Sequence, residues 1–149
     1  MGDVVIQSIE IEAPIERVWN LVMDPERLGE WVTIHERVFD VHGGTLKRGS
    51  TFGQRLKLKG VPLKVRWEVV ECRAPQRARW RGEAAAGATA RISYDLSERG
   101  GSTVFDYENE FELPAGKVGT LAARAFNAMS GDREARKSLQ RLKELLEDG

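Results

Sequence analysis

The sequence has few residues that form covalent cross-links or bind soft metals: one cysteine, Cys72, and two histidines, His35 and His42, in 149 residues. A single cysteine cannot form an internal disulfide, and this set leaves too few soft ligands for a zinc site. Positive charge is not in excess either, because 23 Lys and Arg are balanced by 23 Asp and Glu. General nucleic-acid binding is therefore not expected.

Long apolar runs are also missing, and 31% of the residues are charged, so no membrane span is expected. No charged segment followed by an apolar run opens the chain as a secretion signal would, and a lone cysteine is typical of a reducing compartment. We therefore expect a cytoplasmic protein. With 41% hydrophobic residues and the length of one typical domain, the chain predicts a single domain over residues 1–149 with a packed core.

The first thirty residues predict a strand and two short helices. From Val4 to Glu12, apolar and polar residues alternate as in a half-buried strand. Pro14 then allows a helix to begin, with its apolar face on Ile15, Val18, Trp19 and Val22. Asp24-Pro25 stops this helix and starts a second one through Gly29, before Trp31.

The segment from Thr33 to Leu113 predicts an antiparallel meander, because strand-length runs are separated by glycine, proline and polar turns. Most runs alternate cleanly, which predicts one covered and one solvated face. Near Thr33 to Val41 the register is mixed, since Ile34 and Val38 fall on one side and Phe39 and Val41 on the other, so we expect a bulge. The inward rows are Leu63, Val65, Trp67 and Val69; Ala78, Trp80 and Gly82; Ala88, Ala90, Ile92, Tyr94 and Leu96; and Thr103, Phe105, Tyr107, Asn109 and Phe111.

After Pro114 the apolar period becomes helical and predicts one long terminal helix with a kink near Ser130-Gly131. Its apolar positions include Phe126, Leu139, Leu142, Leu145 and Leu146. A one-sided sheet with a long final helix is an α+β arrangement, in which the sheet must curve around the helix.

The order of these elements, the stretch IEIEAPIERVWNLVMDPERLGEW and the GGSTVF hairpin resemble the START-like or SRPBCC superfamily, in its polyketide cyclase/dehydrase and lipid-transport branch. The matching residues are mainly structural, such as Pro14, Trp19, Trp31 and Gly101. The resemblance implies a helix-grip fold of the START/Bet v 1-like kind: seven curved antiparallel strands around a C-terminal helix, two short helices after the first strand, and a cavity for hydrophobic ligands.

The inward rows combine small residues with large rings, which is compatible with either a dense core or a hollow one. Polar groups at inward positions favour the hollow alternative, because an unpaired buried polar atom costs about 1–3 kcal/mol. Tyr94, Tyr107 and Asn109 are expected at its polar end, with Gln54 as a further inward polar residue. The predicted ligand-binding residues are Trp31, Phe52, Leu56, Trp67, Trp80, Tyr94, Tyr107, Asn109 and Phe126.

Residues suited to catalysis are scarce in these rows. The acidic residues from Asp106 to Glu112 alternate outward, and the buried phenols are better donors than bases. His35 and Arg37 face the cavity only in one of the two registers open to their strand. Cys72 has no evident histidine partner and is interpreted as an inert thiol. Catalytic residues therefore stay unassigned, and no metal or cofactor is expected.

Three functions follow from these observations. The first is binding or carriage of a lipid or a polyketide-like molecule, and the second is a cyclase, aromatase or dehydratase that acts by substrate positioning. The third is a protein-interaction module, because residues 47–91 carry 12 basic and 3 acidic side chains. Its alternative is an ordinary solvated surface with acidic neighbours. An exposed edge strand would permit a homodimer. The basic side chains expected on this face are Lys57, Lys59, Lys64, Arg66, Arg77, Arg79, Arg81 and Arg91.

Overall fold

The structure is a computed structural model in which residues 3–58, 60–84, 87–112 and 132–148 are described. Strand β1 (Asp3–Ile11) leads into helix α1 (Ile15–Val22), whose N-cap position is Pro14. The side chain of Asp24 accepts a hydrogen bond from the backbone N–H of Glu26 and so caps a 3-10 turn at Pro25–Arg27. The one-turn helix α2 (Leu28–Trp31) follows directly, so Trp31 is its last residue and does not lie beyond it.

Seven strands in the described part of the chain form one antiparallel sheet in the order β1-β7-β6-β5-β4-β3-β2. The α+β helix-grip prediction is confirmed, and the sheet is a curled half-barrel. Alternating burial along the strands Arg77–Ala84, Thr89–Arg99 and Ser102–Glu112 gives the expected covered and solvated faces. The remaining strands are β2 (His35–Phe39), β3 (Thr51–Leu58), β4 (Val61–Arg73), β5 (Arg77–Ala84), β6 (Thr89–Arg99) and β7 (Ser102–Glu112).

Two register shifts interrupt the ladders. The first, between His35 and Arg37 in β2, is the predicted bulge. It leaves Val38 opposite Gln54 and packed against the core, while Arg37 is exposed. The second shift lies between Val69 and Glu71 in β4 and was not predicted. It places an extra residue, Val70, in solvent at 42% exposure.

Helix α3 (Asp132–Asp148) packs against β1 and covers the concave face with Leu139, Leu142 and Leu146. Polar contacts fix its last turn: Lys143 donates to the carbonyl of Glu10 at 2.9 Å, and Glu147 accepts the N–H of Glu12 at 2.8 Å. Leu145, predicted on the apolar face, is instead 39% exposed. The predicted helical start after Pro114 and the kink near Gly131 lie outside the described residues.

Candidate functional site

A cavity of about 60 Å³ lies between the concave face of the sheet, helix α2 and the N-terminal half of α3. Most of its wall is apolar. The alternation of the strands directs alternate residues of β3 to β7 toward it, and α2 and α3 close the other side. Its described lining residues are Leu28, Trp31, Val32, Ile34, Gln54, Leu56, Trp67, Trp80, Ile92, Tyr94, Tyr107, Asn109, Phe111, Glu134, Ala135, Ser138 and Leu139.

Aromatic rings form a continuous layer on the sheet side of this cavity. Trp80 is the hub, with ring centroids 5.8 Å from Trp67 and 5.1 Å from Tyr94. Tyr94 in turn lies 6.1 Å from Trp31 and 6.0 Å from Tyr107. The pairs are tilted or edge-on, which is the arrangement that ring quadrupoles favour. The rings therefore support one another and give the wall a fixed shape.

A chain of hydrogen bonds runs through the wall. The indole N–H of Trp67 donates to Oε1 of Gln54 at 2.9 Å, and Nε2 of Gln54 lies 2.9 Å from Nδ1 of His35. The amide nitrogen of Gln54 can only donate a hydrogen bond, so Nδ1 of His35 must accept it. The proton of the neutral imidazole is therefore on Nε2. Burial lowers the pKa of His35, which also favours the neutral ring.

At the opposite end of the cavity, Asn109 donates from Nδ2 to the hydroxyl of Tyr107 at 2.8 Å. Three polar atoms of the lining side chains are buried without a hydrogen-bond partner among the described residues: Nε1 of Trp31, Nε1 of Trp80 and Oδ1 of Asn109. These side chains are only 1%, 2% and 6% exposed, respectively. Buried polar groups nearly always have a hydrogen-bond partner, so three unpaired polar atoms on the side chains that line one cavity are unusual.

A polar latch joins α2 to α3 beside the cavity, and we define it as Thr33, Glu134 and Ser138. The backbone N–H of Thr33 donates to Oγ of Ser138 at 3.0 Å, and the hydroxyl of Thr33 donates to Oε2 of Glu134 at 3.1 Å. These contacts are partly buried, and Glu134 and Ser138 form the helical side of the cavity together with Ala135 and Leu139.

The phenols of the cavity are suited to hydrogen bonding and not to proton transfer. Burial raises the pKa of Tyr94 well above 10 and also raises that of Tyr107, so both phenols stay neutral donors. Burial likewise raises the pKa of Cys72, which keeps it a thiol. Within the described residues no group of three His, Cys, Asp or Glu side chains is placed to hold a metal ion.

Seven of the nine predicted ligand-binding residues line this cavity: Trp31, Leu56, Trp67, Trp80, Tyr94, Tyr107 and Asn109. Phe52 is buried in the core edge-on to Trp80 at 5.5 Å but does not line this cavity, and Phe126 is outside the described residues. That these residues bind a ligand stays a prediction.

The sequence analysis did not predict which residues of α3 line the cavity. The structure places Glu134, Ala135, Ser138 and Leu139 there. Glu134, Ser138 and Leu139 are one, three and four positions from Ala135, and the four residues therefore share one face of a helix. This pattern could have predicted them from the sequence.

Four of the eight basic residues predicted on the outer sheet face are paired with acidic neighbours. Arg77 and Arg79 both contact Asp95 at 3.1 Å, and Arg81 contacts Glu68 at 3.2 Å. Arg66 contacts Asp40 at 3.0 Å. Exposed pairs of this kind contribute little stability individually, and they leave less free positive charge for a partner than the sequence count suggests. Lys59 lies outside the described residues.

Comparison with known proteins agrees with this architecture. Residues 4–147 match the sequence profile of the family described as polyketide cyclase/dehydrase and lipid transport. The chain is 25% identical over 135 residues to Toxin Rv0910 of Mycobacterium tuberculosis. The aligned region covers 89% of this chain and 90% of that protein.

Solved structures share the fold. Ara h 8.0201 superposes with a TM-score of 0.68 at 8% identity over the full length of both chains. DynU16, described as a putative protein in the dynemicin biosynthetic locus, superposes with a TM-score of 0.66 at 18% identity over 97% of this chain and 47% of its own. No helix within the described ranges has the length and apolar character needed to cross a membrane.

Proposed function

Because the chain belongs to the polyketide cyclase/dehydrase and lipid-transport family, we propose that it binds a small, mostly apolar molecule in the cavity between the sheet, α2 and α3. The observation that carries this proposal is the ring-lined wall with a few polar groups among apolar ones, which is the usual composition of a small-molecule site. Binding of hydrophobic ligands is also what the family description implies.

The size of the cavity sets a condition on binding. About 60 Å³ is room for roughly four water molecules, whereas a cavity that holds benzene measures about 150 Å³. A ring-sized ligand therefore requires the walls to separate. The sheet side is a braced aromatic layer, while the helical side is joined to α2 through the latch of Thr33, Glu134 and Ser138. We expect α3 to move away from α2 when the ligand enters.

Substitution of Ala135 by tryptophan tests whether the cavity is the site. Ala135 is half-buried on the lining face of α3, so a large ring there should fill the space without disturbing the sheet. We expect ethylbenzene to bind the unmodified chain in an NMR titration and to bind A135W at least about tenfold more weakly, a change of about 1.4 kcal/mol.

The matched control is Arg136→Trp, which adds the same ring to an exposed position one residue further along the helix. It should leave the ethylbenzene affinity unchanged. Equal binding by A135W and the unmodified chain would place the ligand elsewhere. Native mass spectrometry of the purified chain supplies an independent measurement, since a molecule that co-purifies should be lost in A135W and kept in R136W.

Cyclase or dehydratase activity is the second candidate, and the observation that favours it is the neutral hydroxyl of Tyr107, which accepts from Asn109 and keeps its own hydrogen to donate. Donors of this kind can polarise a carbonyl group of a positioned substrate. If the activity exists, turnover of a poly-β-ketone mimic should fall about tenfold or more in Tyr107→Phe, which keeps the ring and removes the hydroxyl. Absence of turnover in the unmodified chain across several mimics leaves binding as the function.

A further inference from the structure

The three unpaired atoms on the cavity wall are not interchangeable in their chemistry. An indole N–H can only donate a hydrogen bond, so Trp31 and Trp80 each need an acceptor. Both rings pack against Tyr94, with centroids at 6.1 Å and 5.1 Å, and so lie on the same part of the aromatic layer. Both indole nitrogens are fully buried in the closed cavity, so a ligand acceptor reaches them only when the walls separate.

The charges around the cavity do not suit an anion. Among its described lining residues the charged one is Glu134, a carboxylate, and the unpaired Oδ1 of Asn109 is the negative end of an amide dipole. The cation near Glu134 is Lys137, whose Nζ is 3.9 Å from Oε1 and whose side chain is half exposed. Behind the wall, His35 is neutral because its Nδ1 accepts from Gln54. A ligand carboxylate would thus lose its hydration without gaining a cationic partner among the described lining residues.

We propose, on the basis of the binding function above, that the cavity selects neutral molecules carrying a carbonyl-type hydrogen-bond acceptor and rejects carboxylate anions such as free fatty acids. When the walls separate, the acceptor takes an indole hydrogen of Trp31 or Trp80, and the apolar body of the ligand lies against the aromatic layer. Unpaired donors in the ligand-free wall discriminate against pure hydrocarbons, because a hydrocarbon leaves these donors without a partner.

Three single-ring probes of similar size separate these properties: ethylbenzene is apolar, acetophenone adds a carbonyl oxygen, and benzoate adds a negative charge. We expect acetophenone to bind about tenfold more tightly than ethylbenzene and at least about a hundredfold more tightly than benzoate at pH 7. In the unmodified chain, the indole N–H signals of Trp31 and Trp80 should shift downfield with acetophenone and not with ethylbenzene. Trp31→Phe and Trp80→Phe assign these two signals, and each variant should reduce the preference for acetophenone to about threefold or less.

Each outcome has a separate meaning for the two proposals. If ethylbenzene and acetophenone bind equally, or if benzoate binds as tightly as acetophenone, the selectivity proposal is overturned while the binding function stands. If none of the probes binds the unmodified chain at its solubility limit, the binding function fails and the selectivity proposal fails with it. The affinities of the three probes are measured on the unmodified chain, so this comparison does not depend on the folding of either variant.

Discussion

Replacement of Trp80 by alanine should lower the free energy of unfolding by about 3–5 kcal/mol, the range found when large buried aromatic residues are truncated. Trp80 is 2% exposed and its ring contacts Phe52, Trp67 and Tyr94 with centroid distances of 5.5, 5.8 and 5.1 Å. Removal of this ring takes away its apolar burial and also its edge-on contacts with Phe52 and Trp67 and its tilted contact with Tyr94. Urea denaturation should show a lower midpoint with an unchanged slope.

Phe39→Ala provides the comparison for this loss, because Phe39 is an aromatic residue of the same sheet that lies on the outer, half-buried side. Its ring covers Gly53 and is flanked by Arg37, Lys64 and Arg66 at 5.6 to 5.9 Å. Cation–π contacts at exposed sites are worth about 0.5–1 kcal/mol, so its loss should be much smaller. Equal losses for the two variants would show that Trp80 does not centre a closed aromatic layer.

The alternation of residues in β4 to β7 was sufficient to predict the inward rows, because a strand with one buried face has a fixed period of two. Trp67, Trp80, Tyr94 and Asn109 were assigned to the cavity side on this basis, and all four line it. The apolar face of the terminal helix was predicted in the same way. Leu139, Leu142 and Leu146 are buried as predicted, whereas Leu145 is exposed. Local periodicity therefore predicts the face on which a side chain lies.

What periodicity could not predict is the pairing of polar groups between elements. The hydrogen bond from Gln54 to His35 depends on which side of the β2 bulge the histidine falls, and both registers were open. The latch of Thr33, Glu134 and Ser138 joins residues about 100 positions apart. Its existence depends on where α3 crosses α2, which is a property of the packed fold and not of either segment alone.

Substitution of Gln54 by leucine should be the second large loss, about 2–4 kcal/mol, because two partners lose their hydrogen bond at once. Gln54 is 5% exposed, accepts from Nε1 of Trp67 and donates to Nδ1 of His35. Leucine has a similar volume, so the change tests the polar contacts more than the packing. Chemical denaturation measures the loss, and the indole N–H signal of Trp67 should move upfield as it loses its acceptor.

The double variant Gln54→Leu, Trp67→Phe distinguishes lost hydrogen bonds from disturbed packing. Removing one partner leaves a buried polar atom without a bond, whereas replacing both by apolar groups removes the demand for one. We therefore expect the double variant to be at least about 1 kcal/mol more stable than the sum of the two single losses implies, a positive coupling in a double-mutant cycle. Additive losses would mean that the Trp67 to Gln54 bond contributes nothing beyond the shape of the two side chains. Coupling of the expected sign would instead show that the hydrogen bond from Trp67 to Gln54 helps to hold the Trp67 ring in the cavity wall.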